Sequence, residues 1–527
     1  MNIAEILKKQ ASLSPEGVAL IEHCRGTDRQ CSFSELEEQS VKAATLLSQQ
    51  GLKPGDAVLV FLPVSIDLYV ALIAIFRLGL VAMFLDPSAG RAHITRCCNL
   101  HPPKGFIGTP KSHLLRLLSP ALRRIPCKFV VGMYTPGAIN WREVGELTAG
   151  DNSAACIVAR NVDDPALITF TSGSTGQPKG AVRSHGFLIA QHKALETSLA
   201  LKPGQIDLST LPIFVLANLA SGVTSLIPDT DLRRPGAIDA KKVMQQISHY
   251  KPVRAAASPA FYECLIRYCH QHDCTLDTFE QIYTGGAPVF PKLLAELQKL
   301  TPQAEVIAVY GSTEAEPIAH IAYTEITADD IQAMMSGKGL LTGTPVSCIS
   351  LQIIKMHWGE VLGPFDETSF NTVIIEAGGV GEIVVSGEHV LQGYLNGVGD
   401  EDTKFNVGTQ RWHRTGDAGY LDSKGRLWLM GRCGALISDE KGHLYPFAVE
   451  SAAINILGVA RVALIQCRGR RLLMVQEETK NSCTTAELLN ALAWAQLDEI
   501  KIIETIPMDK RHNAKVDYTA LAKLLDE

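Results

Sequence analysis

Over more than the first half of the chain, segments whose hydrophobic residues recur at helical spacing alternate with segments whose hydrophobic residues recur at strand spacing. The segment from Phe33 to Gly51 places its apolar residues on one helical face. We predict a helix there that is capped by Ser34 and ends at Gly51. The uniformly apolar run from Ala57 to Leu62 predicts a buried strand. Repeated alternation of this kind predicts α/β layers in which most strands are buried.

The most apolar stretch runs from Leu68 to Leu85 and is long enough to raise the question of a membrane span. Arg77 lies in its middle and Gly79 follows, so we interpret it as a buried helix that leads into a buried strand. The N-terminal residues carry charges from Glu5 onward and contain no apolar run typical of a secretory signal. We therefore expect a soluble, cytoplasmic protein without a transmembrane segment.

The character of the chain changes near Gly337, where short alternating segments separated by glycine-rich turns predict a small antiparallel β unit. Arg426 to Arg432 predicts one more strand, and the residues after it predict a small α+β unit. Gly434 offers backbone freedom for a hinge. We therefore predict a large, multi-layer α/β domain with a small β unit over residues 1–431. A small, mobile α+β domain is predicted over residues 432–527.

The amino-acid composition excludes few classes of function. The 527 residues are too many for one ordinary domain, and a hydrophobic content of 46% is normal for a globular protein with a large core. A formal net charge of -6 gives no reason to expect a nucleic acid as a partner. The 13 cysteines are odd in number and scattered, which is typical of free thiols in a reducing compartment.

A loop rich in glycine and hydroxyl residues follows the apolar segment from Ala166 to Phe170. It reads TSGSTGQPKG from Thr171 to Gly180. Small residues let backbone N–H groups approach phosphate oxygens, and the hydroxyls add donors. It is not a Walker A loop, because Gly180 rather than Ser or Thr follows Lys179. Composition alone does not distinguish a phosphate-binding loop from a flexible surface turn.

This loop resembles the phosphate loop of the adenylate-forming superfamily, which contains acyl-CoA ligases, peptide-synthetase adenylation domains and luciferases. Three further segments resemble the motifs of that superfamily in the same order. Tyr310 to Glu314, YGSTE, is similar to its second signature, and Thr415 to Asp417 followed by Arg432 is similar to its third. Lys515 matches its catalytic lysine. The resemblance covers nearly the whole chain and implies ATP-dependent activation of a carboxylic acid as an acyl-adenylate.

The resemblance also implies a role for each matching residue. Lys515, Thr313 and Glu314 would be catalytic, with Lys515 bridging the acyl carboxylate and the α-phosphate and Thr313 contacting that phosphate. Glu314 would bind Mg²⁺, a hard cation that prefers oxygen ligands. Asp417 would accept both ribose hydroxyls through its two carboxylate oxygens, and Tyr310 would stack on adenine. The residues expected to bind ATP are Thr171, Ser172, Gly173, Ser174, Thr175, Gly176, Lys179, Gly286, Ala287, Pro288, Tyr310, Asp417 and Arg432.

Two stretches narrow the choice within the superfamily. Ile206 to Asp239 and Arg511 to Leu521 resemble the β-lactone synthetases of bacterial long-chain olefin biosynthesis. Those enzymes convert a 2-alkyl-3-hydroxy acid and ATP to a β-lactone, AMP and pyrophosphate, and the 3-hydroxyl of the substrate replaces an external thiol. The apolar residues that could line an alkyl pocket, or equally pack in a core helix, are Ile213, Phe214, Val215, Leu216 and Leu219.

Other interpretations stay open on the sequence. The run after Arg432 lacks the lysine that ligases commonly carry there, which weakens the case for a pantetheine-delivering enzyme without excluding it. The alternatives are a long- or medium-chain fatty acyl-CoA ligase, an acyl-AMP ligase that feeds an acyl carrier protein, and a non-catalytic nucleotide-binding relative. Retention of Lys179, Glu314, Asp417 and Lys515 argues against the last. The expected partners are a small carboxylic acid and enzymes of the same pathway.

Overall fold

The structure is a computed structural model, and it describes residues 1–24, 26–86, 89–141, 156–172, 178–479, 483–508, 516–518, 520–521 and 523. The described chain forms two compact units. The first consists of Met1–Pro228 with Glu388–Glu401, and the second consists of Asp229–Gly387 with Asp402–Glu527. Helices and sheets alternate as an α/β protein requires, which confirms the predicted fold class. The predicted boundary between residues 431 and 432, and the mobility of the segment after it, stay predictions.

The first unit is built from helices and strands that alternate along most of its length. In chain order these are α1 (Ala4–Leu13), β1 (Val18–Cys24), β2 (Thr27–Ser32), α2 (Phe33–Gln49), β3 (Ala57–Phe61), α3 (Ile66–Arg77), β4 (Val81–Phe84), α4 (Arg91–Leu100), β5 (Gly105–Gly108), α5 (Pro110–Leu118), α6 (Pro120–Arg124), β6 (Cys127–Val130), β7 (Ile139–Asn140), β8 (Pro165–Ser172), β9 (Pro178–Ser184), α7 (His185–Ser198), β10 (Ile206–Ser209), α8 (Pro212–Ser221) and β11 (Thr224–Leu226).

Seven strands of this unit form one sheet in the order β7-β6-β5-β3-β4-β8-β9. All neighbours pair in parallel except β8 and β9, which form an antiparallel hairpin. The central strand β3 is buried along its whole length, as its apolar run predicts. Strands β10, β11 and β1 pair in parallel, and β2 adds to β1 in the antiparallel direction.

The predicted helix after Phe33 exists, but its cap lies two residues before the predicted one. The Oγ of Ser32 accepts a hydrogen bond from the backbone N–H of Glu35 at 3.1 Å, and the N–H of Ser32 donates to Oε2 of Glu35 at 2.8 Å. This reciprocal capping box satisfies two backbone donors at the start of α2. Ser34 therefore lies inside the first turn, and its prediction as the cap is wrong.

The most apolar stretch folds as predicted, into the buried helix α3 followed by the strand β4. Arg77 at the end of α3 is fully buried and forms an ion pair with Glu37 on α2. This pairing explains how a charge is accommodated within an apolar run, since a buried charge requires a partner. None of the helices in the described ranges combines the length and the apolar character needed to cross a bilayer.

The second unit continues with elements of both kinds. In chain order these are α9 (Ala240–Tyr250), β12 (Arg254–Ala257), α10 (Pro259–His272), β13 (Gln281–Gly285), α11 (Pro291–Leu300), β14 (Glu305–Ser312), β15 (Ala315–Ala322), α12 (Ala328–Met335), β16 (Leu340–Pro345), β17 (Ser350–Ile354), α13 (Glu367–Asn371), β18 (Gly381–Ser386), α14 (Asp400–Thr403), β19 (Lys404–Val407), β20 (Gln410–Leu421), β21 (Leu427–Arg432), β22 (Ile437–Asp439), β23 (Gly442–Leu444), α15 (Pro446–Ala453), β24 (Val459–Cys467), β25 (Arg470–Glu477), α16 (Thr485–Ala491) and β26 (Glu499–Ile502).

Nine strands of this unit follow one continuous path, β12-β13-β14-β15-β16-β21-β20-β18-β17. Strands β12 to β14 are parallel, and every later pairing along the path is antiparallel. The small β unit predicted after Gly337 is therefore present, and its strand β16 pairs with β15, the antiparallel neighbour of β14. The last elements include a three-stranded sheet, β24-β25-β26, covered by α15 and α16 around an apolar cluster.

A buried ion pair ties β18 to β20. The guanidinium of Arg414 donates to both carboxylate oxygens of Glu382 at 2.7 and 2.8 Å, and neither side chain is more than 1% exposed. Its three remaining donors reach the carbonyls of Glu360 at 2.6 Å, His357 at 2.7 Å and Asp402 at 3.4 Å. Because a buried guanidinium needs all of its donors satisfied, this one residue fixes two strands and a loop in a single arrangement.

Removal of one partner of this pair should destabilise the protein strongly. Arg414→Met leaves the Glu382 carboxylate buried without a counter-charge, and we expect a loss of about 3–5 kcal/mol in the free energy of unfolding by denaturant titration. The double variant Arg414→Met/Glu382→Leu should recover much of that loss. As a control, Arg233→Met breaks an exposed pair with Asp231 and should cost less than about 1 kcal/mol. An Arg414→Met protein as stable as that control would contradict the prediction.

Candidate active site

Three of the predicted nucleotide-binding residues meet where β14, β20 and β21 lie in the second unit. The hydroxyl of Tyr310 donates to Oδ2 of Asp417 at 2.7 Å. Asp417 on β20 lies directly opposite Arg432 on β21, and Nε of Arg432 is 3.3 Å from Oδ1 of Asp417. Both carboxylate oxygens of Asp417 thus have a protein partner, and a carboxylate oxygen can accept more than one hydrogen bond.

The electrostatics of this cluster centre on Asp417. Its negative charge holds the pKa of Arg432 above the usual value, and nearby Tyr310 and Glu314 act in the same direction. Burial, followed by the charge of Asp417, raises the pKa of Tyr310 well above its usual value. Tyr310 is therefore a neutral donor and Arg432 a cation at all physiological pH values. Arg432 is 61% exposed, so its charge is available to an anionic ligand.

Thr313 and Glu314 form the tight turn between β14 and β15. Both residues are half-buried, and the Glu314 N–H donates to the hydroxyl of Ser312 at 3.2 Å. The effect of Glu314 on Arg432 places its carboxylate in the same electrostatic environment as Asp417. A carboxylate beside hydroxyl-bearing residues is an oxygen donor set that fits Mg²⁺. The structure therefore brings Tyr310, Asp417 and Arg432 into contact, and their roles and that of Glu314 stay predictions.

The predicted adenine strip, Gly286 to Pro288, begins where β13 ends. Strand β13 runs parallel to β14, and the strip therefore leaves the sheet at the same edge as Tyr310. Gly286 has a φ of +79°, a conformation that an L side chain rarely adopts, and it is exposed. Ligands of open α/β sheets commonly bind at the carboxyl ends of parallel strands. The strip and Tyr310 share that edge.

One residue of this region escaped the sequence analysis. Trp358 is 41% exposed, and its ring lies against Gly416, where an added Cβ would approach it to 3.0 Å. Gly416 has a φ of +74°, so both backbone and space require glycine there. The same ring also lies 3.0 Å from the position of a Cβ on Gly434 and stacks over Arg414 at 5.5 Å. Trp358 lies in an irregular segment, and no periodicity marks it.

The predicted phosphate-binding residues lie in the first unit, on the β8–β9 hairpin. Thr171 pairs with Lys179, and Ser172 pairs with Pro178, so the two strands bring the ends of the loop together. The Lys179 ammonium lies over the Tyr394 ring at 5.7 Å and packs beside Gly399. For Thr171 and Ser172 only the backbone is described. The predicted site residues that lie outside the described residues are Gly173, Ser174, Thr175, Gly176 and Lys515.

The segment after Lys515 is anchored by an acidic residue that is almost fully buried. Oε1 of Glu450 accepts a hydrogen bond from the hydroxyl of Tyr518 at 2.6 Å and another from the N–H of Leu464 at 2.9 Å. Burial raises the pKa of Glu450 to about 7, although both hydrogen bonds favour the ionised form. Leu521 packs in a small apolar cluster beside β24 and β25. These contacts hold Tyr518 and Leu521 beside α15 and the last three-stranded sheet.

Helix α8 carries the five candidate alkyl-pocket residues. Phe214, Val215 and Leu219 are buried and pack in the core. Ile213 and Leu216 instead line a small apolar pocket between α1, α7 and α8. The two groups of residues lie on different faces of α8, because helical side chains repeat every 3.6 residues.

Residues 7–395 match the family model described as "AMP-binding enzyme". A match over most of the chain, together with the fold and the cluster around Asp417, defines the class of protein as an adenylate-forming ligase. The chain belongs to the AMP-binding enzyme family, and the resemblance predicted from its motifs is confirmed. Members of this class use ATP to activate a small carboxylic acid.

Two curated relatives are similar over almost their whole length. An olefin beta-lactone synthetase of Stenotrophomonas maltophilia is 30% identical over 556 residues, which cover 99% of this chain and 97% of the relative. An olefin beta-lactone synthetase of Xanthomonas campestris pv. campestris is 30% identical over 553 residues, with the same shares covered. Among solved structures, ATP-bound MatB from Rhodopseudomonas palustris has a TM-score of 0.80 at 20% identity, covering 100% of this chain and 99% of that one. The likeness to MatB shows the fold.

The buried Glu450 should make stability depend on pH. Its raised pKa means that the folded state favours the protonated carboxyl, so its stabilising effect is full at low pH and is lost as the pH rises through about 7. Glu450→Gln cannot ionise. We expect the variant to gain up to about 3 kcal/mol relative to wild type between about pH 5 and 8, measured by urea unfolding.

The control for this prediction is Glu440→Gln, which changes an exposed carboxylate of the same segment. Its free energy of unfolding should depend on pH in the same way as that of wild type. If the Glu450→Gln and wild-type curves also ran parallel, Glu450 would be ionised in the folded protein at every pH tested, contrary to our expectation.

Proposed function

We propose that the protein activates a 2-alkyl-3-hydroxy fatty acid as its acyl-adenylate and then closes it to a β-lactone, releasing pyrophosphate and AMP. The observation that carries the lactone step is the 30% identity to two olefin beta-lactone synthetases over 99% of this chain. The nucleotide-binding part is supported by the cluster of Tyr310, Asp417 and Arg432. We further propose that the enzyme acts in the cytoplasm.

In the first step, a carboxylate oxygen of the acid attacks the α-phosphorus of ATP, and pyrophosphate leaves. Asp417 accepts the ribose hydroxyls through its two carboxylate oxygens, each of which can accept more than one hydrogen bond. Lys179 and the loop before it bind the departing phosphates, and the Thr313 hydroxyl contacts the α-phosphate. Mg²⁺ held by Glu314 neutralises phosphate charge when it is bound. Attack brings anions together, so cations and donors already in position lower its barrier.

Lys515 would stabilise that same transition state by approaching both the acyl carboxylate and the α-phosphate. The match of Lys515, in sequence order after the other three motifs, to the catalytic lysine of the superfamily supports this assignment. A group that acts mainly in the transition state affects kcat more than nucleotide binding. Loss of one such contact typically costs about 10²–10³ in rate.

In the second step, the substrate's own 3-hydroxyl oxygen attacks the activated acyl carbon. The C–O bond to AMP breaks, and the hydroxyl proton passes to a base, for which His512 and the departing phosphate are the candidates. The nucleophile is tethered, and well-oriented intramolecular attack reaches effective molarities of about 10⁵–10⁸ M. Strain in the four-membered ring opposes this gain. The site must therefore hold the substrate folded and keep water from the adenylate.

Asp417→Ala should weaken AMP and ATP binding, because the two ribose hydroxyls lose a charged acceptor. Hydrogen bonds to charged groups contribute about 1.5–3 kcal/mol each, so Kd should rise more than about tenfold in calorimetry. Tyr310→Phe keeps the carboxylate and should give a smaller loss. Asp329→Ala, at an exposed position on α12, is the control and should bind normally. Unchanged affinity in Asp417→Ala would show that the carboxylate serves only the turn.

The lactone step is tested with ATP and a 2-alkyl-3-hydroxy acid in the absence of CoA, with products identified by NMR. We expect β-lactone, AMP and pyrophosphate in equal amounts. The 3-deoxy analogue lacks the nucleophile and should stop as a bound acyl-adenylate. Lys515→Ala should slow both reactions at the adenylation step by about 10²–10³.

The same experiment separates the alternatives. A fatty acyl-CoA ligase would convert both acids to thioesters at equal rates once CoA is added and would release no lactone. An acyl-AMP ligase would release no lactone either, and would transfer both acyl groups to an added acyl carrier protein. Either result would contradict the proposed second step while leaving the first intact.

A further inference from the structure

Helix α5 in the first unit exposes an apolar face. Leu114, Leu117 and Leu118 lie three and four residues apart, hence on one face, and are 61%, 72% and 55% exposed. The opposite face is fixed by His113, which is buried and donates from Nε2 to the carbonyl of Phe129 at 2.9 Å. The orientation of the helix is therefore set by a buried contact, and its leucines project into solvent.

The loop between β6 and β7 extends this apolar surface. Met133 and Tyr134 are 71% and 74% exposed. The guanidinium of Arg116 on α5 donates to the carbonyls of Pro136 at 2.8 Å and Gly137 at 3.0 Å, which fixes the loop beside the helix. We call the resulting surface the α5 patch, and it consists of Leu114, Leu117, Leu118, Met133 and Tyr134.

The sequence around the α5 patch is unusually basic. Between Asp86 and Glu143 the chain contains no acidic residue, although its net charge is -6 overall. Lys111 on α5 and both Arg123 and Arg124 on α6 are exposed. The Lys and Arg residues of this stretch are Arg91, Arg96, Lys104, Lys111, Arg116, Arg123, Arg124, Lys128 and Arg142.

The residue types of the α5 patch and its surroundings indicate which kind of partner binds there. Clustered apolar side chains at a protein surface mark a site of interaction, and basic residues beside them attract an anionic partner. Leucine and tyrosine side chains that project together from one face into solvent suit insertion into the headgroup region of a bilayer. Protein partners more often receive such residues in well-packed pockets that exclude water. The combination of projecting leucines and exposed arginines favours an anionic lipid surface.

We propose that the α5 patch is a peripheral docking surface for membranes that contain anionic lipid. The leucines and Tyr134 enter the interface, and the arginines of α6 contact lipid phosphates. This inference goes beyond the proposed reaction and does not depend on the lactone step. It would place an enzyme that activates fatty acids at the surface where such acids partition.

The test is co-sedimentation of the whole protein with vesicles of phosphatidylcholine alone or of phosphatidylcholine and phosphatidylglycerol in equal parts. Wild type should bind the anionic vesicles, and binding should weaken as salt is added. Leu117→Ser/Leu118→Ser should lose about tenfold or more in affinity, since two apolar side chains no longer leave water. Arg123→Glu/Arg124→Glu should lose about as much.

Matched controls keep the test specific. Leu457→Ser removes a leucine that is 87% exposed outside the patch, and Arg233→Glu reverses an exposed charge elsewhere, so both should bind like wild type. Leu117→Trp retains apolar character, and its fluorescence should shift to the blue on anionic vesicles. Thermal unfolding of each variant checks that it is folded.

Three outcomes would overturn the proposal. In the first, wild type binds neither kind of vesicle. In the second, it binds both kinds equally well. In the third, the Leu117→Ser/Leu118→Ser variant binds anionic vesicles as tightly as wild type. Sedimentation velocity without lipid tests the competing occupant. Self-association of wild type that Leu117→Ser/Leu118→Ser abolishes, with no vesicle binding, would assign the patch to contact between two copies of this chain. Failure of this proposal would leave ATP-dependent adenylation unaffected, because that activity is measured with soluble substrate.

Discussion

The buried ion pair between Arg414 and Glu382 is the constraint on which the cluster of Tyr310, Asp417 and Arg432 depends. It joins β18 to β20 immediately before Thr415–Asp417, and its remaining donors hold the loop that carries Trp358. A buried guanidinium with five satisfied donors admits few alternative arrangements. The position of Asp417, and through it those of the Tyr310 hydroxyl and the Arg432 charge, follows from that rigidity.

The cluster is built so that charge is available where a nucleotide would need it. Asp417 engages Tyr310 and Arg432 at the same time, so its carboxylate is not buried without partners. Arg432 is paired yet well exposed. The residues predicted to bind phosphate, around Lys179, belong to the other compact unit. The residues proposed for adenylation are thus far apart in the chain.

Much of the fold and the candidate site could be predicted from local patterns. The apolar runs that became β3, α3 and β4 report burial directly, because their spacing reflects the faces that leave water. The four motifs, in the order typical of the family, identified the family. Their glycines and hydroxyl side chains are residue types suited to binding phosphate and ribose. The wrong prediction of Ser34 as the helix cap also has a local cause. Ser32 carries the same hydroxyl group, and Glu35 lies three residues after it and completes a capping box.

The sequence by itself determined the order of the elements, the motifs and the residue types able to bind ATP. Only the tertiary structure decided that Tyr310 donates to Asp417, that Arg414 finds Glu382, that Trp358 covers Gly416, and that Glu450 is held near a pKa of about 7. The physical reason is that spacing along a chain records which face of an element is buried. The partner across a sheet depends on strand order and register, and the pKa of a buried acid depends on every neighbour that displaces water from it.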